Sequence, residues 1–215
     1  MRWRRRLLGE AGTLGWWVAW LFMVGSFLFA LGSFPPYGQT VDPTAVGVTF
    51  VVGSVFFTSA ASAQLLQTVR ARGDGRLVWA CGVQLVGTVF FNVNTIHALL
   101  DSQDIDEVNR LVWAPDFFGS IAFLIASHLA WLAVCHAWWR VLRDDPDWWA
   151  AALNYVGSIF FMLSAIASFT LTTTGEELNT TMVNSGTFLG AVCFLVGAYV
   201  LLPPTRADAP ANAAA

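Results

Sequence analysis

Lysine is absent from this chain. All 11 basic residues are arginine, set against 14 acidic ones, and charged residues make up only 12% of the 215 positions. A soluble domain of this length carries about twice that charged fraction. The few charges also fall between long apolar runs, which excludes a soluble globular core and points to a polytopic membrane protein. Cysteine is scarce as well. Cys81, Cys135 and Cys193 are odd in number and sit inside apolar segments, which excludes a disulfide framework and leaves them as small packing residues. No basic patch interleaved with aromatics lies outside the Arg-rich start, so nucleic acid is not an expected partner. HExxH, CxxC, P-loop, dinucleotide and nucleophile-elbow motifs are all missing, and no catalytic residue or cofactor is expected. The histidines do not change this. His128 and His136 are eight apart on one span, and His97 lies nearer the opposite end of its own. They offer neither metal-ligand spacing nor two imidazoles at one depth for a haem.

What is present is apolar length. Six segments, near 13–34, 44–66, 77–100, 109–139, 148–171 and 181–202, reach the roughly 20 residues needed to cross a bilayer. Between them lie breakers such as Pro35-Pro36-Tyr37-Gly38, Asp42-Pro43, Asp145-Pro146 and Thr174-Gly175. Arg2, Arg4, Arg5, Arg6, Arg70, Arg72, Arg76, Arg140, Arg143 and Arg206 share one side, and only Arg110 faces the other. That bias predicts both termini in the cytoplasm of a bacterial inner membrane; arginine-only basic content with abundant alanine fits a high-GC bacterial source. The opposite loops are acidic, with Asp101, Asp104, Asp106 and Glu107 in one and Glu176 and Glu177 in another. Trp16, Trp17, Trp79, Trp138, Trp139, Trp148 and Trp149 fall at the cytoplasmic ends, at headgroup level. The first run is too long and too rich in tryptophan for a cleaved signal peptide and is expected to remain as the first span.

Each span carries one signature: glycine, then a small residue, then phenylalanine four residues after the glycine. The glycines are Gly25, Gly53, Gly87, Gly119, Gly157 and Gly190. Small residues recur seven or eight positions later on the same helix face. Lipid tails provide no drive for helix association, so close approach over small residues must supply it. Trp17, Trp79 and Trp149 lie eight residues before the glycines of the odd spans only. The unit is therefore a helical hairpin, and the expected fold is an all-α, six-helix transmembrane bundle of three two-helix hairpin repeats. Its parts are an Arg-rich start (1–12), hairpins at 13–66, 77–139 and 148–202, and a disordered tail (203–215). FLFALGSF joined to TFVVGSVFF, within residues 16–66, resembles the YrhK-like membrane domain of bacteria. That resemblance implies a small helical membrane protein and brings no activity or catalytic residues.

Three residues before the glycines stand Phe22, Phe50, Gln84, Asp116, Asn154 and Thr187. The last four spans thus repeat a polar group at one position, and intramembrane polar groups usually face the bundle interior. With alternate helices antiparallel, Gln84 and Asn154 lie toward the cytoplasm and Asp116 and Thr187 toward the outside. Asp116 follows Pro115, where the helix either begins or kinks. Asn92, Asn94 and His97 run toward the same outer level, where an Asp–His–Asn cluster would bind a proton, a cation or a polar headgroup. The first expectation for function is a non-catalytic packed bundle that binds lipid, a membrane-protein partner or a second copy of itself. The alternatives are a small transporter or channel around Asp116, and an intramembrane lipid enzyme using Asp116 and His97.

Overall fold

The structure, a computed structural model, describes residues 12–100, 104–135 and 140–203. The arginines of the start, Asp101, His136, Trp138, Trp139, Arg206 and the tail from 204 onward lie outside the described residues. Among the described residues six helices are long and apolar enough to cross a membrane: α1 (Leu14–Gly32), α2 (Pro43–Arg70), α3 (Gly75–Leu99), α4 (Ile105–Cys135), α5 (Pro146–Ala167) and α6 (Thr180–Val200). Every one starts on a capping side chain, the oxygen of Thr13, Asp42, Asp74, Asp104, Asp145 or Asn179 accepting a first-turn N–H. Such caps satisfy donors that a helix start leaves unpaired. Two differences from the sequence reading have local causes. Pro35–Thr40 forms a short helix, since two prolines fit the first helical turn, where no N–H is needed. And α5 stops at Ala167, not 171, because Thr170 leaves the helix to bridge Glu177.

Consecutive helices pack closely as α1 with α2, α3 with α4, and α5 with α6. The contacts α2 with α3, α4 with α5, and α6 with α1 close these pairs into a ring. One end, the base, carries the start of α1 and the end of α6; the other carries the three connections within pairs, here called the tips. Each close pair meets glycine to glycine. A Cβ added to Gly25 would lie 3.0 Å from the Gly53 carbonyl oxygen, and one on Gly157 3.0 Å from that of Gly190. For Gly87 and Gly119 the reciprocal distances are 3.1 and 3.2 Å. Backbone lies against backbone at these three crossings, and a side chain there would push the helices apart.

The residue after each glycine is fully buried: Ser26, Ser54, Thr88, Ser120 and Ser158 have no exposed surface, and neither has Ala191. Several of these hydroxyls bridge neighbouring pairs. Ser54 meets Thr95 at 3.0 Å across α2 and α3, and Ser158 meets Ser127 at 2.8 Å across α4 and α5. By contrast, Val52, Val55, Val86, Val89, Val156 and Ile159, one residue before or two after a glycine, are 41–53% exposed. An apolar exterior around a core lined by small polar residues is the packing expected of a bundle in lipid. The chain is thus an integral membrane protein whose signature residues face either their neighbours or the bilayer.

The fourth residue after each glycine points to the axis of the ring. Phe29, Phe91 and Phe161, from the odd helices, form one layer with ring centroids 5.9–6.3 Å apart. Phe57, Phe123 and Phe194 form a second layer at 5.5–6.4 Å. Within each close pair the layers touch, at 5.4, 5.0 and 5.6 Å, all in the favourable range for aromatic pairs. Six phenylalanines therefore plug the middle of the bundle. Phe22 and Phe50 pack edge-on against it from either side, onto Phe57 and Phe29.

Candidate functional site

The plug divides the axis into two cavities. The one toward the tips has a volume of about 300 Å³, with Phe29, Phe91 and Phe161 at its floor. Asp116, Thr187 and Asn94 line it, together with Ser164, Ser168 and Glu177. The one toward the base is about 580 Å³ and takes in Gln64, Asn154 and Asp147. A narrow extension of it reaches Gln84 and Phe194. The residues three before the glycines thus sort by helix direction: Phe50, Asp116 and Thr187 line the tip cavity, and Phe22, Gln84 and Asn154 the base cavity.

The remaining sequence candidates fall elsewhere. Asn92 lies on the seam between α2 and α3, where its amide donates to Thr58 at 2.7 Å. Neither Asn92 nor His97 lines either cavity. Asp116 accepts a hydrogen bond from the Ser168 hydroxyl at 3.4 Å, not from His97. Among the described residues no group of three or more His, Cys, Asp or Glu side chains is placed to hold a metal ion.

How Asp116 reaches the cavity follows from the start of α4. The helix neither begins nor breaks at Pro115 but runs through it from Ile105. Pro115 has no N–H to offer the preceding turn, and directly before it Asn109–Trp113 widens into a π-helical stretch. Such stretches inside α-helices recur at functional sites. Here the widening frees groups that organise the cavity wall. The Asn94 amide donates to the Val112 carbonyl at 2.9 Å, and the Trp113 indole donates to the Ala165 carbonyl at 3.0 Å. Asn109 clamps the connection between α5 and α6, its amide donating to the Thr170 carbonyl at 2.8 Å and its oxygen accepting the Thr170 N–H at 3.0 Å.

That connection brings in Glu177, which the sequence reading placed in an acidic outer loop. The chain reverses through Gly175, whose φ of +72° is left-handed and suits glycine. Thr170 and Glu177 pair as a single β-bridge, which lays Glu177 over the cavity mouth. Burial pushes its carboxyl above the usual carboxylate range, and a hydrogen bond from Thr180 opposes part of that rise. The cavity holds two carboxylates, and no Arg or His is among its described lining residues.

Asn109→Ala removes both bonds to Thr170 and leaves a buried N–H and C=O unpaired, at about 1–3 kcal/mol each. Amide exchange across Thr170–Glu177 should then accelerate at least roughly tenfold, and more than exchange within the six helices. Unchanged exchange would show that the clamp does not hold the connection.

No family model matches the chain, and comparison with curated proteins and with solved structures finds no match.

Proposed function

We propose that this protein is a small solute transporter of the bacterial cytoplasmic membrane. The tip cavity binds the solute, the base cavity opens to the other side, and the double phenylalanine layer is the barrier between them. The observation that carries this reading is the pair of axial cavities on opposite sides of one plug, lined at corresponding positions by Gln84 and Asn154 on one side and by Asp116 and Thr187 on the other. Arg70, Arg72, Arg76, Arg140 and Arg143 flank the base, and the excess of arginine there supports an orientation with the base in the cytoplasm and the tips outside. The three close pairs read as copies of one hairpin in parallel orientation, and parallel repeats occur in transporters. The YrhK-like resemblance over residues 16–66 bears on how the first pair packs and assigns no ligand.

A bundle built only to pack, or to dock lipid or a partner helix, leaves two cavities and an interior carboxylate without a role. Ionisable groups within a membrane are costly and usually functional. An enzyme acting through Asp116 and His97 needs these side chains within hydrogen-bond reach, and only Asp116 borders the cavity. Proteoliposome flux tests the transport reading, with sodium, methylammonium, choline and a neutral sugar as separate probes. At least one probe should enter faster than into protein-free liposomes. Asp116→Asn, folded by its melting temperature, should slow that entry about tenfold or more, one good interaction's worth. Equal entry for wild type, Asp116→Asn and empty liposomes, across all four probes, would overturn it.

A further inference from the structure

The lining of the tip cavity is chemically one-sided. Asp116 and Glu177 contribute two carboxylates, and no Arg or His among the described lining residues offsets them; the chain has no lysine at all. An anion would meet two carboxyls and no positive group there, and beside a neutral solute burial would drive both carboxyls toward their uncharged acids. A cation is the occupant that both stabilise in their charged form. A bare divalent ion takes six or more oxygen ligands at close range, of which the two carboxylates would supply only part. The wall also carries the neutral polar groups of Asn94, Ser164, Ser168 and Thr187, and a large part of the rest is aromatic. Phe29, Phe50, Phe91, Trp113 and Phe161 all border the cavity, and Phe29–Phe50 and Phe91–Phe161 pack at 5.4 and 5.9 Å between centroids. Aromatic rings grouped around a space are how proteins hold alkylated ammonium ions, through cation–π attraction and apolar contact with the methyl groups. The volume of about 300 Å³ stands at the lower limit of ligand pockets, which restricts the occupant to a compact one.

We infer that the tip cavity binds a small alkylated ammonium ion, its charge facing Asp116 and Glu177 and its carbon-bearing groups facing the phenylalanine floor. This rests on the tip cavity being the solute site. In that arrangement Asp116 holds the charge at depth, while Glu177 sits at the mouth on a connection fixed by Asn109. Phe50 belongs to the aromatic wall, which gives a role to a position that is apolar in α2 but polar in α4 and α6.

Isothermal titration of the purified protein in detergent tests the inference directly, because binding is read without transport. The probes are tetramethylammonium, choline, sodium, magnesium and the uncharged tert-butanol. Saturable, one-to-one binding of tetramethylammonium or choline is expected, weakened roughly tenfold or more in Asp116→Asn and in Glu177→Gln. Phe50→Leu should weaken tetramethylammonium more than it weakens any sodium binding, a selectivity that a purely electrostatic pocket would not show. Both acid variants and Phe50→Leu should keep the wild-type melting temperature; if one does not, the comparison rests on the others. Equal binding of tert-butanol, or sodium or magnesium outcompeting the ammonium ions at equal concentration, would overturn the inference. If a neutral probe crosses proteoliposomes while no ammonium ion binds, the ligand class fails and the transporter reading stands. If no probe either binds or crosses, both fail.

Discussion

Gly157→Leu is expected to disrupt the third hairpin. A Cβ at this position would lie 2.8 Å from the Phe194 ring and 3.0 Å from the Gly190 carbonyl oxygen. Neither can withdraw, since Phe194 is packed in the central plug and the oxygen is backbone. Overpacking of this kind costs about 1–3 kcal/mol even for small insertions, so Gly157→Ala should lower the melting temperature in detergent by at least about 2–4 °C. Leucine adds three more carbons to the same gap and should leave little folded protein. Gly82 is the control. It lies within α3, and a Cβ there would meet nothing within 4 Å; Gly82→Ala should be neutral or slightly stabilising, because alanine is the better helix former. Equal melting temperatures for Gly157→Ala and Gly82→Ala would show that the glycine crossings are not where the pairs are held.

The second large effect concerns the plug. Phe161 and Phe194 come from the two layers, touch at 5.6 Å, and are 6% and 3% exposed. Phe161 borders the tip cavity, and Phe194 borders the extension of the base cavity. Replacing both by alanine removes one ring from each layer at the place where the cavities come closest. In packed cores a single Phe→Ala costs about 3–5 kcal/mol, much of it for the hole left behind. On the transporter reading, that hole joins two spaces open to water and ions. The double alanine variant should therefore melt lower and, below that temperature, make liposomes leak small ions. The double leucine variant fills most of the volume and should stay sealed. A folded double alanine variant that leaks no more than wild type would mean that something other than these rings seals the axis.

The legible part of this structure is what depends on local rules. Apolar length marked the spans, and Asp42-Pro43 and Asp145-Pro146 marked breaks before α2 and α5. Counting from the signature glycines in antiparallel helices put Gln84 and Asn154 on one side of the middle and Asp116 and Thr187 on the other. The less legible part depends on contacts between residues far apart in the chain. Nothing in the sequence of α1 or α6 says that they close the ring. The phenylalanine four residues after each glycine was visible as a motif, but six rings meet at one point only once the three pairs are arranged around an axis. Glu177 read as a loop acid, because its place over the cavity depends on the Asn109–Thr170 clamp and the turn at Gly175. Pro115 signalled a kink or a start, and the chain resolves it by the π-helical stretch Asn109–Trp113 instead. Asn92 and His97 shared an outer depth with Asp116, but depth does not fix the face of a helix, and they line neither cavity.

The most direct test of two cavities entered from opposite sides of one plug is cysteine accessibility in sealed membrane vesicles. Thr187→Cys and Asn154→Cys would be placed singly in a background with Cys81, Cys135 and Cys193 changed to alanine, and treated with a small membrane-impermeant thiol reagent. Cysteine at 187 should react only from outside and cysteine at 154 only from the cytoplasmic side. Reaction of both from the same side, or of neither with any water-borne reagent, would contradict the account.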